Sequence, residues 1–298
     1  MSRQVLIAAA AAMLAVPALA DDGAATPDFL GRWGRNSFNF EAKPEGPKPL
    51  VNLKRMPDGT NDPGQLVGDY KNPILKPEAA EIVRKNGLLA KAGLGYPDPS
   101  NQCRPYAPPF NSAMQLGLEI LKKNDGFTIL YSQDDQVRRI RMNAEHPADL
   151  KPSAMGDSIG HWEGDTLIVD TVGIAHGPFT MVDRWGTPHS DALHIVEKYR
   201  LIDGAEAKAA MDRHEKEDGR VGGVPGAMAI DPDMSLKGLQ VEVTVEDPNV
   251  FTTPWSAYVT YRRMSPRMPW TEQVCAENPT EFYANQWVGL PRAEHPDF

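Results

Sequence analysis

A chain of 298 residues with 31 basic and 40 acidic side chains has material for one large domain or two small ones, and its surplus of negative charge repels phosphate backbones and acidic membrane surfaces. Nucleic acid is therefore excluded as an expected partner. With two cysteines in the whole chain, a Cys-rich zinc site is excluded as well.

The first twenty residues read as a secretory leader. Arg3 is followed by an unbroken apolar run from Val5 to Val16, then Pro17 and the small-residue pattern Ala18-Leu19-Ala20 ahead of Asp21. That run is too short to anchor a protein in a bilayer and has the form of a cleaved signal. The expected product starts at Asp21, carries 30 basic against 40 acidic residues and is periplasmic or secreted. In such an oxidising compartment Cys103 and Cys275 are expected to pair. A loop that long contributes about 4 to 5 kcal/mol on the chain-entropy model.

Residues 21–112 are rich in Pro, Gly and Asn, and residues 21–126 are expected to form an irregular wrap with one helix over Lys76–Leu89. Gly31-Arg32-Trp33 resembles the first strand of lipocalin-like barrels. From Phe127 the pattern changes to short β segments: 127–132, 136–143, 158–162, 166–172, 192–202, 239–246, 256–263 and 272–275. Leu239, Val241, Val243 and Val245 alternate with polar residues, as in a half-buried strand. The strand 166–172 is apolar on both faces apart from Asp170. Consecutive strands with short turns predict a mainly β fold, an antiparallel up-and-down barrel over 127–275 within a single domain, followed by a tail over 276–298. An insertion over 205–237, with a charged helix from Ala205 to Lys216, reads as a lid or a surface excursion.

No dinucleotide or phosphate loop, His-Glu-x-x-His or Gly-x-Ser-x-Gly is present. Chemistry, if any, then falls to acid and base side chains in a pocket, without a cofactor, and histidine is the natural candidate near neutral pH. His146, in a Pro-containing turn after a basic strand, is expected at a barrel mouth. Arg139 and Arg141 share one face of that strand and read either as a site for a substrate oxygen or as salt-bridge partners of Asp165 or Asp170. His189 and His194 bracket a turn into the strand carrying Glu197. That carboxylate is expected either inside the barrel, as a general acid, or paired with an arginine from the next strand. Of His161 and Trp162, on opposite faces, one must point inward. Trp185, Trp255 and Tyr261 are candidate walls for an aromatic ligand. A metal site from His146, His161, His189 and His194 is conceivable, although no spacing demands it. His176 and His214 are expected at the surface.

Several segments carry a resemblance. They are His146-Pro147-Ala148-Asp149-Leu150, the long run Gly156-Asp157-Ser158-Ile159-Gly160-His161-Trp162-Glu163-Gly164-Asp165-Thr166-Leu167-Ile168-Val169-Asp170-Thr171-Val172-Gly173, Thr187 to His194, Val245 to Pro248, Thr253-Pro254-Trp255 and Cys275 to Asn278. With them the chain resembles a large group of exported bacterial proteins. It is more distantly similar to cofactor-independent lyases of lignin-derived aromatic dimers, such as phenylcoumaran γ-formaldehyde lyases. The resemblance implies a carbon–carbon lyase or isomerase acting on an aromatic small molecule and assigns no residue a role. The alternatives are a small-molecule carrier without turnover and a histidine-metal hydrolase. Whether copies of the chain associate into a homo-oligomer stays open.

Overall fold

The structure is a computed structural model that describes residues 27–62, 65–94, 98–99, 103–218 and 229–271, together with the backbone of 280–283 and 286–289. The expected leader, the loop expected at 221–226, the strand expected at 272–275 and most of the expected tail lie outside the described residues. Cys275, and with it the expected bond to Cys103, lies outside them too. Among the described residues no helix is long and apolar enough to cross a membrane.

In chain order the elements are β1 (Gly31–Gly34), β2 (Glu41–Ala42), α1 (Pro77–Lys91), α2 (Phe110–Ala113), β3 (Leu118–Lys123), β4 (Gly126–Tyr131), β5 (Gln136–Met142), β6 (Asp157–Glu163), β7 (Thr166–Val172), β8 (His194–Ile202), α3 (Gly204–Glu217), β9 (Gly238–Glu246), β10 (Trp255–Arg263) and a separate hairpin of β11 (Thr280–Tyr283) and β12 (Gln286–Gly289). Nine strands pair in the order β1, β3, β4, β5, β6, β7, β8, β9, β10. The sheet closes where Trp33 of β1 pairs with Arg263 of β10. Each of these nine strands thereby has a neighbour on both sides, and β2 pairs with β10 outside the ring. Period-two alternation fills the interior: Leu239, Val241, Val243 and Val245 of β9 are fully buried, as are Ala257, Val259 and Tyr261 of β10.

The barrel is mixed, not an antiparallel meander. β5 and β6 run parallel, with Ile140 opposite Ser158 and Arg141 opposite Ile159. The cause lies in the connection. An antiparallel neighbour needs only a tight turn, whereas a parallel one needs a crossover of a dozen or more residues. Residues 143–156 supply it. Asn143 leaves β5 in the left-handed region, at φ 52°, and the chain returns along the sheet's outer face. There Ser153 bridges Ile174, and Leu150 lies against Gly173. The other turns follow expectation, including the tight hairpin at Gly164, whose φ is 61°.

The part read as a wrap supplies two barrel strands, β1 and β3. Three of the four residues of β1 are not apolar, and β3 ends in two lysines, so neither shows clear periodicity. α3 presents Ala207, Ala210, Met211 and His214 as one buried stripe, the spacing of a helix packed on a core. His214 is therefore buried, contrary to expectation.

Candidate functional site

The crossover places His146 over β6 and β7 on the outside of the barrel, not at its mouth. Asp157 and Asp170 project outward beneath it, because their register partners Val172, Ile159 and Val196 share that outer face. His146 Nδ1 lies 2.6 Å from Asp157 Oδ2, and its Nε2 lies 3.0 Å from Asp170 Oδ1. The second Asp170 oxygen is 2.9 Å from His194 Nε2. His194 Nδ1 faces Glu246 at 3.8 Å. At the other end Arg141 donates to both oxygens of Asp157, at 2.9 and 2.7 Å. The result is a line of alternating charge type: Arg141, Asp157, His146, Asp170, His194, Glu246. A neutral imidazole has one N–H and one acceptor nitrogen, whereas an imidazolium has two N–H donors, and each histidine of this line has a carboxylate facing both of its ring nitrogens.

This line ends at a cleft of about 310 Å³ whose walls include Glu246, Asp247, Phe251, Thr252, Thr253 and Lys76. Asp247 accepts from the backbone N–H and the hydroxyl of Ser190, at 2.6 and 2.8 Å, which ties the turn before His194 to the turn after β9. Segments far apart in the sequence, carrying His146, Asp157, Asp170, Ser190, His194, Glu246 and Thr253, thus meet in one region of the surface.

A second polar group fills the barrel interior. Arg138, next to the two arginines singled out in the sequence but on the opposite strand face, is 1 % exposed and forms an ion pair with Glu197, 0 % exposed. Arg138 also donates to Thr171 Oγ1 at 2.7 Å and Ser158 Oγ at 3.0 Å. Glu197 accepts from Tyr199 at 3.1 Å and from Ser112 of α2 at 3.3 Å, and the Tyr261 hydroxyl donates to the Ser112 carbonyl. Burial alone would lower the Arg138 pKa. The Glu197 carboxylate and the Tyr131 and Tyr199 rings outweigh it and hold the guanidinium well above its usual value. Burial pushes the phenols of Tyr131, Tyr199 and Tyr261 up. Glu197 is thus both inside the barrel and paired, and its partner comes from β5, three strands away, not from the next strand.

The remaining candidates are dispersed. Arg139 is exposed on the outer face of β5. His161 is exposed beside Glu163, at 3.2 Å, and its neighbour Trp162 takes the inward position, stacked on Phe29 at 5.5 Å between ring centroids. His189 is buried, its Nδ1 3.1 Å from the Ser190 carbonyl, and burial lowers its pKa. Trp185 donates to the Leu50 carbonyl at 3.1 Å. Trp255 meets Phe40 and Phe251 edge to face in the core. Trp185, Trp255 and Tyr261 are core side chains, 5 %, 2 % and 1 % exposed. His176 is exposed beside Asp191. Of the residues selected from sequence, the structure brings His146, His194 and Arg141 together; Glu197, His189, Arg139 and His161 stand elsewhere. Sequence reasoning missed Asp157 and Glu246. Asp170 gave the one available signal, a lone carboxylate in an apolar strand. Among the described residues no group of three or more His, Cys, Asp or Glu side chains is arranged to hold a metal ion.

No protein-family model, curated protein or solved structure matches the chain.

Proposed function

We propose that this protein is an exported, cofactor-independent enzyme of the lyase or isomerase type, acting by histidine–carboxylate acid–base chemistry on an aromatic small molecule. The observation that carries the reading is the meeting of His146 and His194 on the two oxygens of Asp170, at the edge of a cleft that offers a cation, two hydroxyls and an aromatic ring. Two imidazoles held on the two oxygens of one carboxylate form a hydrogen-bonded array suited to general acid–base work.

For the fragmentation of a hydroxymethyl-bearing aromatic dimer, the roles distribute as follows. His194, which faces the cleft-wall residue Glu246 at 3.8 Å, is the proposed base for the hydroxyl proton of the departing carbon. The carbon–carbon bond to that carbon breaks as its C=O forms, and the released electron pair makes the new C=C and expels the aryl oxygen. Lys76 faces the charge that gathers on that oxygen, which then recovers the proton. No electrons are gained or lost overall, so no redox partner is required. Asp170, itself held by His146, orients His194 and stabilises the imidazolium that forms there. The similarity to lignin-dimer lyases, the cleaved leader, the periplasmic or secreted location and the Cys103–Cys275 disulfide belong to the same reading.

Purified mature protein incubated with a phenolic phenylcoumaran should release formaldehyde. His194→Ala and His146→Ala should each lower turnover by roughly two orders of magnitude, the scale of a lost general base, with circular dichroism unchanged. EDTA should have no effect. Full activity in both variants overturns the assignment; saturable binding without formaldehyde favours a carrier, and loss with EDTA restored by zinc favours a metal hydrolase. Intact mass should begin at Asp21 and lack two hydrogens; two alkylatable thiols in folded protein would exclude the disulfide.

A further inference from the structure

A second concavity, of about 330 Å³, opens elsewhere on the surface, and its chemistry differs from that of the cleft beside His194. Phe38, Tyr106, Phe110, Met114, Met181 and Arg184 line it. Its walls are firm. Tyr106 and Phe110 meet edge to face, 5.2 Å between centroids at 88°, and Tyr106, Phe110, Met114 and Met181 are all at least nine-tenths buried. The Tyr106 hydroxyl donates to Asp98 at 2.6 Å on one side. On the other, the Arg184 guanidinium sits 5.2 Å above the Phe38 ring and 5.2 Å above that of Trp185, and donates to Asp218 at 2.8 Å.

Three aromatic rings and two thioethers offer dispersion and π contacts to a flat partner. The two charged groups at the rim each already serve a protein partner, Asp98 with Tyr106 and Arg184 with Asp218. A charged ligand entering here would shed water for groups engaged elsewhere, which is unfavourable. The volume lies at the low end of small-molecule sites, enough for one or two fused rings. We propose that this cleft binds a neutral, planar aromatic molecule. None of its lining residues belongs to the line from Arg141 to Glu246, and the proposal does not rest on the lyase reading.

The test uses the full mature chain with 13C-methyl methionine and indole as the probe. Met114→Leu and Met181→Leu each delete one signal and so assign the pair. Indole should shift both signals saturably. Cyclohexanol, neutral but not planar, should bind roughly five- to tenfold more weakly, the value of an aromatic contact, and Phe110→Leu should weaken indole to a similar degree. His194→Ala should leave indole binding unchanged. Signals that stay still up to the solubility limit of indole, equal binding of cyclohexanol, undiminished affinity in a folded Phe110→Leu protein, or loss of binding in His194→Ala would each overturn the proposal.

Discussion

Replacing Arg138 by methionine tests the interior network directly. The guanidinium is 1 % exposed and its partner Glu197 0 %, so the variant leaves a carboxylate buried with only the Tyr199 and Ser112 hydroxyls for company. Removing one member of such a pair costs about 3 to 5 kcal/mol, because the surviving charge has neither water nor a counter-charge. Against a total stability of about 5 to 15 kcal/mol that is a large share, equivalent to a fall in Tm of roughly 10 °C. Removing both charges, as Arg138→Met with Glu197→Leu, takes away the unpaired carboxylate but strands several hydroxyls, among them Tyr199 and Tyr131. The double variant should thus stay less stable than the parent, yet cost less than the sum of the singles by about 2 kcal/mol or more. Urea unfolding followed by circular dichroism measures all four corners of the cycle. An Arg138→Met cost below about 1 kcal/mol, or additivity within about 0.5 kcal/mol, would refute the reasoning.

The pH dependence has a definite sign. Burial raises the Asp183 pKa from 3.8 to about 6, against the pull of its hydrogen bonds from Thr187 and Trp185. A raised folded pKa means that the contribution is fully present below the unfolded value near 4 and is lost as pH rises through about 6. The difference in stability between parent and Asp183→Asn should therefore shift against the parent by about 3 kcal/mol between pH 4 and pH 7, and a flat difference in urea unfolding would contradict it. Glu41 runs the other way. Burial would raise it, but His214 and Arg213 together lower it from 4.5 to about 2, so its contribution is complete above pH 4.5 and lost as pH falls towards 2. Thermal melts of Glu41→Gln should converge on those of the parent in acid. Among glycines, a methyl group at Gly156, whose φ is 64°, would stand 2.6 Å from the Val172 carbonyl oxygen, and Gly156→Ala should cost roughly 2 to 4 kcal/mol. Gly164 has a similar φ but nothing within 4 Å of such a group, so Gly164→Asn should cost less than about 1 kcal/mol in the same melts.

Most of the strands were legible because their burial is one-sided. Alternation marks β9, and the span 166–172 was read to the residue. Gly164 and the α3 boundaries follow from turn and helix chemistry alone. What the sequence concealed has two physical sources. Short strands such as β1, four residues flagged only by the Gly-x-Trp resemblance, and β3, whose alternation lasts three residues before Leu121 and two lysines, carry too little period, and their place in the barrel comes from pairing partners far along the chain. The parallel pairing of β5 and β6 is also non-local: the span 143–156 looks like any loop until its ends are known to enter neighbouring strands in one direction. The candidate site inherits this. His146 was legible as a candidate base, but its position over Asp157 and Asp170 depends on the crossover. Arg138 was passed over for Arg139 and Arg141, since alternation separates the two faces without saying which one is buried.

If the crossover positions His146, disturbing its packing should act on turnover through that histidine. Gly173 offers the handle. Its φ is 67°, and a methyl group there would come within 2.5 Å of Leu150 Cδ2, while its carbonyl accepts from the Ser153 N–H at 3.0 Å. Gly173→Ala drives its methyl into the end of the Leu150 side chain, four residues from His146; where the crossover backbone moves with that side chain, a shift of about 1 Å is enough to lengthen both imidazole contacts beyond hydrogen-bonding range. Misplacement on that scale can cost up to about a hundredfold in rate. On this reasoning Gly173→Ala lowers formaldehyde release markedly when His146 is present and adds little in a His146→Ala background, because the contact it disrupts is already gone. Gly173→Ala with Leu150→Ala, which removes the clash, should recover much of the loss while leaving the left-handed strain at residue 173. Equal fold-losses with and without His146 would show that the substitution acts through general destabilisation, and the crossover would then have no special claim on the site.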